Sequence, residues 1–224
     1  MKKILLSLLA LLLSISTYAQ KDVTTFLGIP IDGTKGEMRQ KLIAKGFTPL
    51  KVGDNECFKG EFNGTDVNIY IGTNNNKVYR LAIFDVNTQD EAQIKIRFNN
   101  LVSQFENNKR YIALEKYTIS DAEDISFEMS VHAKNFDAEY YQKPDINKID
   151  TAILKNKFRE QLSDKFTPEQ LKNPTNEMSK EILATAIELF LKKHVWFRIE
   201  EYYGKYYIAM YYDNEYNHAN GEDL

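Results

Sequence analysis

Residues 56–62 and 65–71 flank Asn63-Gly64, and this stretch restricts the fold more than any other in the 224-residue chain. An Asn-Gly pair suits the two positive-φ positions of a type I′ turn, whose twist matches the strands it joins. Counting outward sets Phe62 against Thr65, Gly60 against Val67 and Phe58 against Ile69 on one face. Glu61 with Asp66, Lys59 with Asn68 and Cys57 with Tyr70 fall on the other. One apolar and one wet face describe an antiparallel sheet covered on one side only. Asn74-Asn75-Asn76 then turns the chain into a third strand over 78–84.

Helix signals alternate with such strands. After a short apolar segment at 26–31, Thr34 and Glu37 have capping-box spacing, and Met38, Leu42 and Ile43 supply a buried stripe. Gly46 ends that helix in a left-handed cap, with Phe47 packing back. Thr88 with Glu91 opens a second helix, whose stripe is Ile94, Phe98, Leu101, Val102 and Phe105. Strands are expected at 111–119, at 125–133 with Ile125, Phe127, Met129 and Val131 inward, and at 138–141.

From Pro144 the chain reads as helical. Ile146, Ile149, Ile153, Phe158 and Leu162 share a stripe, Thr167 to Gln170 is a second box, and a long helix runs over 177–193. A hairpin at 195–202 and 206–212 follows, with Gly204-Lys205 fitting a type II′ turn. The expected fold is α+β: antiparallel sheets with helices packed on one face, in helix-then-strands units. Residues 20–142 hold two such units, 143–213 a helical segment and a C-terminal hairpin packed on the same protein, and 214–224 a frayed tail.

The first nineteen residues read as a signal peptide: Lys2 and Lys3, an apolar run, then Thr17 and Ala19 as the small residues before a cut. The run is shorter than the ~18–20 apolar residues of a membrane span, and no integral membrane segment is expected after cleavage. Removing 19 of 224 residues leaves 205, with 27 basic residues against 32 acidic ones once Lys2 and Lys3 are gone. This acidic, mixed surface argues against a nucleic-acid partner. Cys57 is the only cysteine, so stability must come from packing rather than disulfides. It reads as a small strand residue in preference to a nucleophile or an intermolecular bridge.

The run Phe26-Leu27-Gly28-Ile29-Pro30-Ile31-Asp32-Gly33-Thr34-Lys35, with Glu37-Met38, Lys45-Gly46-Phe47 and the closing Asn220 to Leu224, resembles uncharacterised exported proteins of gut Bacteroidetes. The Ala19-Gln20 cut is similar to theirs. The resemblance implies export, to the periplasm or the extracellular space, and no activity. The helix-then-strands plan is also similar to β-lactamase-inhibitor-like modules and to small lipoproteins of outer-membrane assembly, which implies binding rather than catalysis. Asp150-Thr151-Ala152 matches the short O-glycosylation sequon of Bacteroidetes, although a helix start capped by Asp150 is the favoured reading.

No catalytic constellation stands out. His132, His194 and His218 share no motif spacing, there is no cysteine pair for zinc, and no Gly-x-Ser-x-Gly elbow exists. A calcium loop starting at Asp213 fails because His218 takes the glycine position. No metal and no cofactor is expected. The feature above background is the aromatic C-terminal hairpin, where Trp196, Arg198, Tyr202, Tyr207 and Tyr211 fall on one face. On the expected turn, Tyr202 faces Tyr207 and Arg198 faces Tyr211. Such a face can anchor a protein or glycan partner, or it can pack beneath the long helix or form ordinary cross-strand pairs. The expected function is an exported, non-catalytic binding protein of the bacterial envelope; the alternative is an exported carboxylate-dependent hydrolase acting on glycans. Export predicts that protein from the native host starts at Gln20 by intact-mass measurement; a cytoplasmic chain retaining Met1 contradicts it.

Overall fold

The computed structural model describes residues 22–53, 55–143, 165–167, 170, 175 and 192–219. The chain divides into two units, one of Val23–Lys143 with Ser179–Leu224, the other of Met1–Asp22 with Pro144–Met178. In the second of these, Thr167 and Gln170 form the expected reciprocal box: the Thr167 amide donates to Gln170 Oε1 at 2.9 Å and the Gln170 amide to Thr167 Oγ1 at 3.4 Å. Residues 1–19, the stripe from Ile146, Asp150-Thr151-Ala152, residues 177–191 of the expected long helix and the last five residues lie outside the described residues; Lys192 and Lys193, expected to end that helix, form a turn leading into the next strand.

The larger unit is a mixed α+β structure, mostly sheet. Strands β1 (Thr25–Phe26) and β2 (Ile29–Pro30) form a two-stranded ribbon. Then come α1 (Lys35–Ala44), β3 (Thr48–Val52), β4 (Asn55–Phe62), β5 (Thr65–Asn74), β6 (Lys77–Asp85), α2 (Glu91–Asn107), β7 (Tyr111–Ala113), α3 (Ile125–His132), β8 (Asp137–Gln142), β9 (His194–Tyr202) and β10 (Lys205–Asp213). The long strands make one eight-stranded antiparallel sheet in the order β3-β4-β5-β6-β10-β9-β8-β7. All three described helices lend buried side chains to one hydrophobic cluster on one sheet face, with Phe58, Ile69, Leu81, Phe197 and Met210. Among the described residues no helix is long and apolar enough to cross a membrane.

Local chemistry explains most elements. The β4–β5 register is the one the Asn-Gly turn dictates, from Phe62 with Thr65 to Phe58 with Ile69, and Asn63 and Gly64 have φ of 53° and 71°. Thr34 and Glu37 close a capping box, and Gly46 at φ 94° ends α1, its amide and that of Phe47 returning to Ile43 and Leu42 carbonyls. Ile43 is the exception in the α1 stripe and lies at the surface. Asn75 and Asn76 make the β5–β6 turn, both at positive φ. The α2 stripe is buried as expected, but its cap is Asp90, which accepts the Gln93 amide. Glu91 is therefore the first residue of the helix rather than the third, out of place for a box with Thr88, and its carboxylate accepts the amide of Ile125 at 2.9 Å.

That bond belongs to the main departure from the sequence reading. Residues 125–132 form α3, not a strand, and β7 stops at Ala113. Side chains of α2 occupy the backbone groups a longer strand would need. Asn99 bonds both the amide and the carbonyl of Ile119, and Lys95 bonds the carbonyls of Asp121 and Glu123. Asp124 then caps α3, and Ile125 and Met129, four apart, are the pair that reaches the core. Phe127 and Val131, inward on the strand reading, are exposed.

Two further expectations are corrected. Cys57 sits on the face opposite Phe58 but is fully buried, beside its strand neighbour Leu50 and Tyr70, so that face is not uniformly wet. The tail is not frayed from Asn214. Asn214 is fully buried and donates to the Ile31 carbonyl at 2.6 Å, and Asn217 donates to Asp32 and to the Val78 carbonyl.

Gly60 carries a packing requirement of a different kind. A Cβ there would lie 2.4 Å from the Phe47 ring, which crosses the strand at that point, whereas a Cβ at Gly36 in α1 meets nothing within 4 Å. Gly60→Ala is therefore expected to destabilise by about 1–3 kcal/mol through overpacking. Gly36→Ala is expected to stabilise by about 0.5–1 kcal/mol through helix propensity. Chemical denaturation of both variants measures the contrast.

Candidate functional site

On β9 and β10, alternate residues leave the helix-covered face. Trp196, Arg198, Tyr207 and Tyr211 lie there half-buried, while Tyr202 stands largely exposed near the turn. The five thus share a face, but not as the sequence paired them. The turn is Tyr203-Gly204, both at positive φ, a type I′ turn in place of II′. Tyr211 therefore pairs with Trp196, Tyr207 with Glu200, and Arg198 with Ala209. Each partner moves by two positions, an even step that keeps every side chain on its expected face.

The rings stand in a row across the strands. Tyr141 of β8 stacks on His194 with centroids 5.0 Å apart, His194 faces Trp196 at 6.3 Å, and Trp196 stacks on Tyr211 at 4.1 Å. Phe84 of β6 meets Tyr211 edge-on, and Tyr70 of β5 meets Phe84 in the same way. Burial raises the pKa of the phenols in this row, that of Tyr141 to about 12 with the help of the Glu139 carboxylate. Trp196 thus has one ring, Tyr211, stacked closely on it and His194 farther off along the row. Tyr202 and Tyr203, in edge-to-face contact at 4.6 Å, are the exposed rings of the hairpin.

Beside this row lies a cleft of about 380 Å³, bordered by Arg80, Glu139, His194, Trp196, Asp213 and Glu215 among others. Its floor is an ion pair. Arg80 of β6 holds Asp213 of β10 through both carboxylate oxygens, at 2.6 and 2.8 Å, and the Trp196 indole N–H donates to Oδ2 at 2.9 Å. The bond to Asp213 raises the Arg80 pKa against its own partial burial. The guanidinium also lies 5.0 Å from the Tyr211 centroid and 5.6 Å from that of Trp196, a cation–π arrangement. Arg198 is engaged by Glu200.

Two histidines that the sequence left unrelated meet at this cleft. His194 begins β9, and burial lowers its pKa against the opposing pull of the surrounding carboxylates. His218 arrives on the turn held by Asn214 and Asn217 and lies edge-on to Tyr79, 4.7 Å between centroids. A ring nitrogen of His194, an Asp213 oxygen and a Glu215 oxygen all lie within 4.8 Å of one another. Sequence spacing could not reveal this set, because two ligands come from the Asp213 to His218 segment and the third from another strand. Cys57 and His132, the remaining reactive types, line no part of the cleft. The arrangement gathers carboxylates and two imidazoles, suited to binding a cation or donor-rich ligand.

Compared with models of protein families, with curated proteins and with solved structures, the chain matches none of them.

Removing Arg80 leaves the almost fully buried Asp213 carboxylate without its cation. Arg80→Met is expected to lower stability by about 3 kcal/mol. Removing both charges, as in Arg80→Met with Asp213→Asn, is expected to restore part of that loss, and a double-mutant cycle in urea measures the coupling.

Proposed function

We propose that this chain is an exported, non-catalytic binding protein of the bacterial envelope that docks a protein partner on the tip and outer face of its C-terminal hairpin. The observation that carries the reading is the exposure of Tyr202 and Tyr203, at 59 % and 87 %, beside a rigid half-buried row. A tyrosine at a strand end loses little conformational freedom on docking and offers both an apolar body and a hydroxyl, as interface anchors do. Trp196, Tyr211 and Arg198 support this tip by fixing the strands beneath it, while Tyr202 and Tyr207 meet the partner. A protein is favoured over a glycan because the indole, the best sugar-stacking ring here, is already closely stacked on Tyr211.

The glycan-hydrolase reading draws on the Asp137, Glu139, Asp213 and Glu215 carboxylates at the cleft. It ranks second, since Asp213 is committed to Arg80 and Trp196 rather than poised to give up a proton.

A photo-crosslinking residue at Tyr203, introduced in the native host, is expected to capture one dominant envelope protein. Replacing Tyr202 and Tyr207 with alanine should abolish that product and weaken binding of the identified partner by about 2 kcal/mol or more. The same change should leave the chain folded, with only the modest loss in melting temperature expected from the half-buried Tyr207 ring beside Phe84. Capture no stronger than from Lys51, at the far edge of the sheet, would overturn the reading.

A further inference from the structure

We propose that His194, Asp213, Glu215 and His218 form a binding site for a divalent transition-metal cation, with zinc the reference ion. The Nε2 atoms of both histidines are buried and have no hydrogen-bond partner. A buried ring nitrogen left this way is costly, and a cation accepting both lone pairs removes the cost at once. His194, Asp213 and Glu215 offer ligand atoms within 4.8 Å of one another, and His218 Nε2 stands next to this group, 3.8 Å from Glu215 Oε1. Ligands around a tetrahedral zinc lie about 3.3 Å apart, given metal–ligand bonds of ~2.0–2.1 Å. Binding would draw the His194, Asp213 and Glu215 atoms together from their 4.8 Å envelope and bring in His218 beside Glu215.

The donors are already oriented by outer partners, as in metal centres generally. Tyr141 and Trp196 fix the plane of His194, and Tyr79 fixes that of His218. Arg80 and Trp196 aim the Asp213 carboxylate. The turn carrying Glu215 and His218 is clamped by Asn214 to Ile31 and by Asn217 to Asp32 and Val78. Charge agrees as well: the cleft has four carboxylates against two guanidinium groups, one of which is paired with Glu200. Two imidazoles with carboxylates suit a borderline transition ion better than calcium or magnesium, which prefer oxygen alone. This inference rests on the orphaned imidazoles and stands apart from the partner-docking reading.

The test is isothermal titration of zinc chloride into the tag-free mature protein after chelator treatment, repeated with cobalt to read ligand identity from its absorption bands. One ion per chain is expected, with a rise in melting temperature on zinc addition. Glu215→Gln and His218→Ala are each expected to weaken binding by about tenfold or more. His132→Ala, far from the cleft, should bind as the parent does. Glu215→Gln is nearly isosteric and decides the matter if His218→Ala does not fold. Absence of binding at submillimolar zinc, or unchanged affinity in both ligand variants, would overturn the proposal.

Discussion

Strand β10 lies against β6 through pairs such as Tyr212 with Leu81 and Met210 with Ile83. This ladder joins positions 133 residues apart, as Arg80 and Asp213 are. Without it β3 to β6 and β7 to β10 would be separate sheets, each with an open edge in the middle of the protein, an arrangement that invites association. With it, both sets share one helix-covered face and one core. The entropy of closing so long a loop grows only slowly with its length, so burying a continuous apolar face outweighs it.

Two buried carboxylates mark this seam. Asp85 of β6 points toward the helices, where Arg97 of α2 holds it at 2.5 and 2.7 Å. Asp213 of β10 points the other way and is held by Arg80. Such pairs add little net stability, because desolvation offsets much of the attraction. Their effect is on register: a one-residue slip would send each carboxylate to the wrong face, away from its arginine. The same register delivers Asp213 to the cleft, where the neighbouring β9–β10 ladder sets Trp196 beside Tyr211. The candidate site is therefore a by-product of the seam.

How legible each part was follows from the range of the forces involved. The Asn63-Gly64 hairpin, the Thr34–Glu37 box and the α2 stripe depend on residues a few positions apart, and the structure contains them as read. Residues 125–132 satisfied both a period of two and a spacing of four. The choice between them was made by Asn99, Lys95 and Glu91, which lie a helix away and occupy the loop backbone. Burial of Cys57 was likewise hidden, since alternation says which face a residue takes but not what lies over it. The pairing error in the last hairpin came from Tyr203, a residue not usually found at positive φ.

By itself the sequence determined the local elements, the inward and outward sides of the strands, and the grouping of Trp196, Arg198, Tyr202, Tyr207 and Tyr211 on one face. Caps, turns and alternation are short-range geometry, and they act before any distant contact forms. Tertiary structure alone decided that β6 and β10 are neighbours, that Asn214 is an anchor rather than the start of a loose tail, and that His194 and His218 face a common cleft. Those outcomes depend on which apolar faces meet and which polar groups find partners, and those choices are settled only when the whole sheet is assembled.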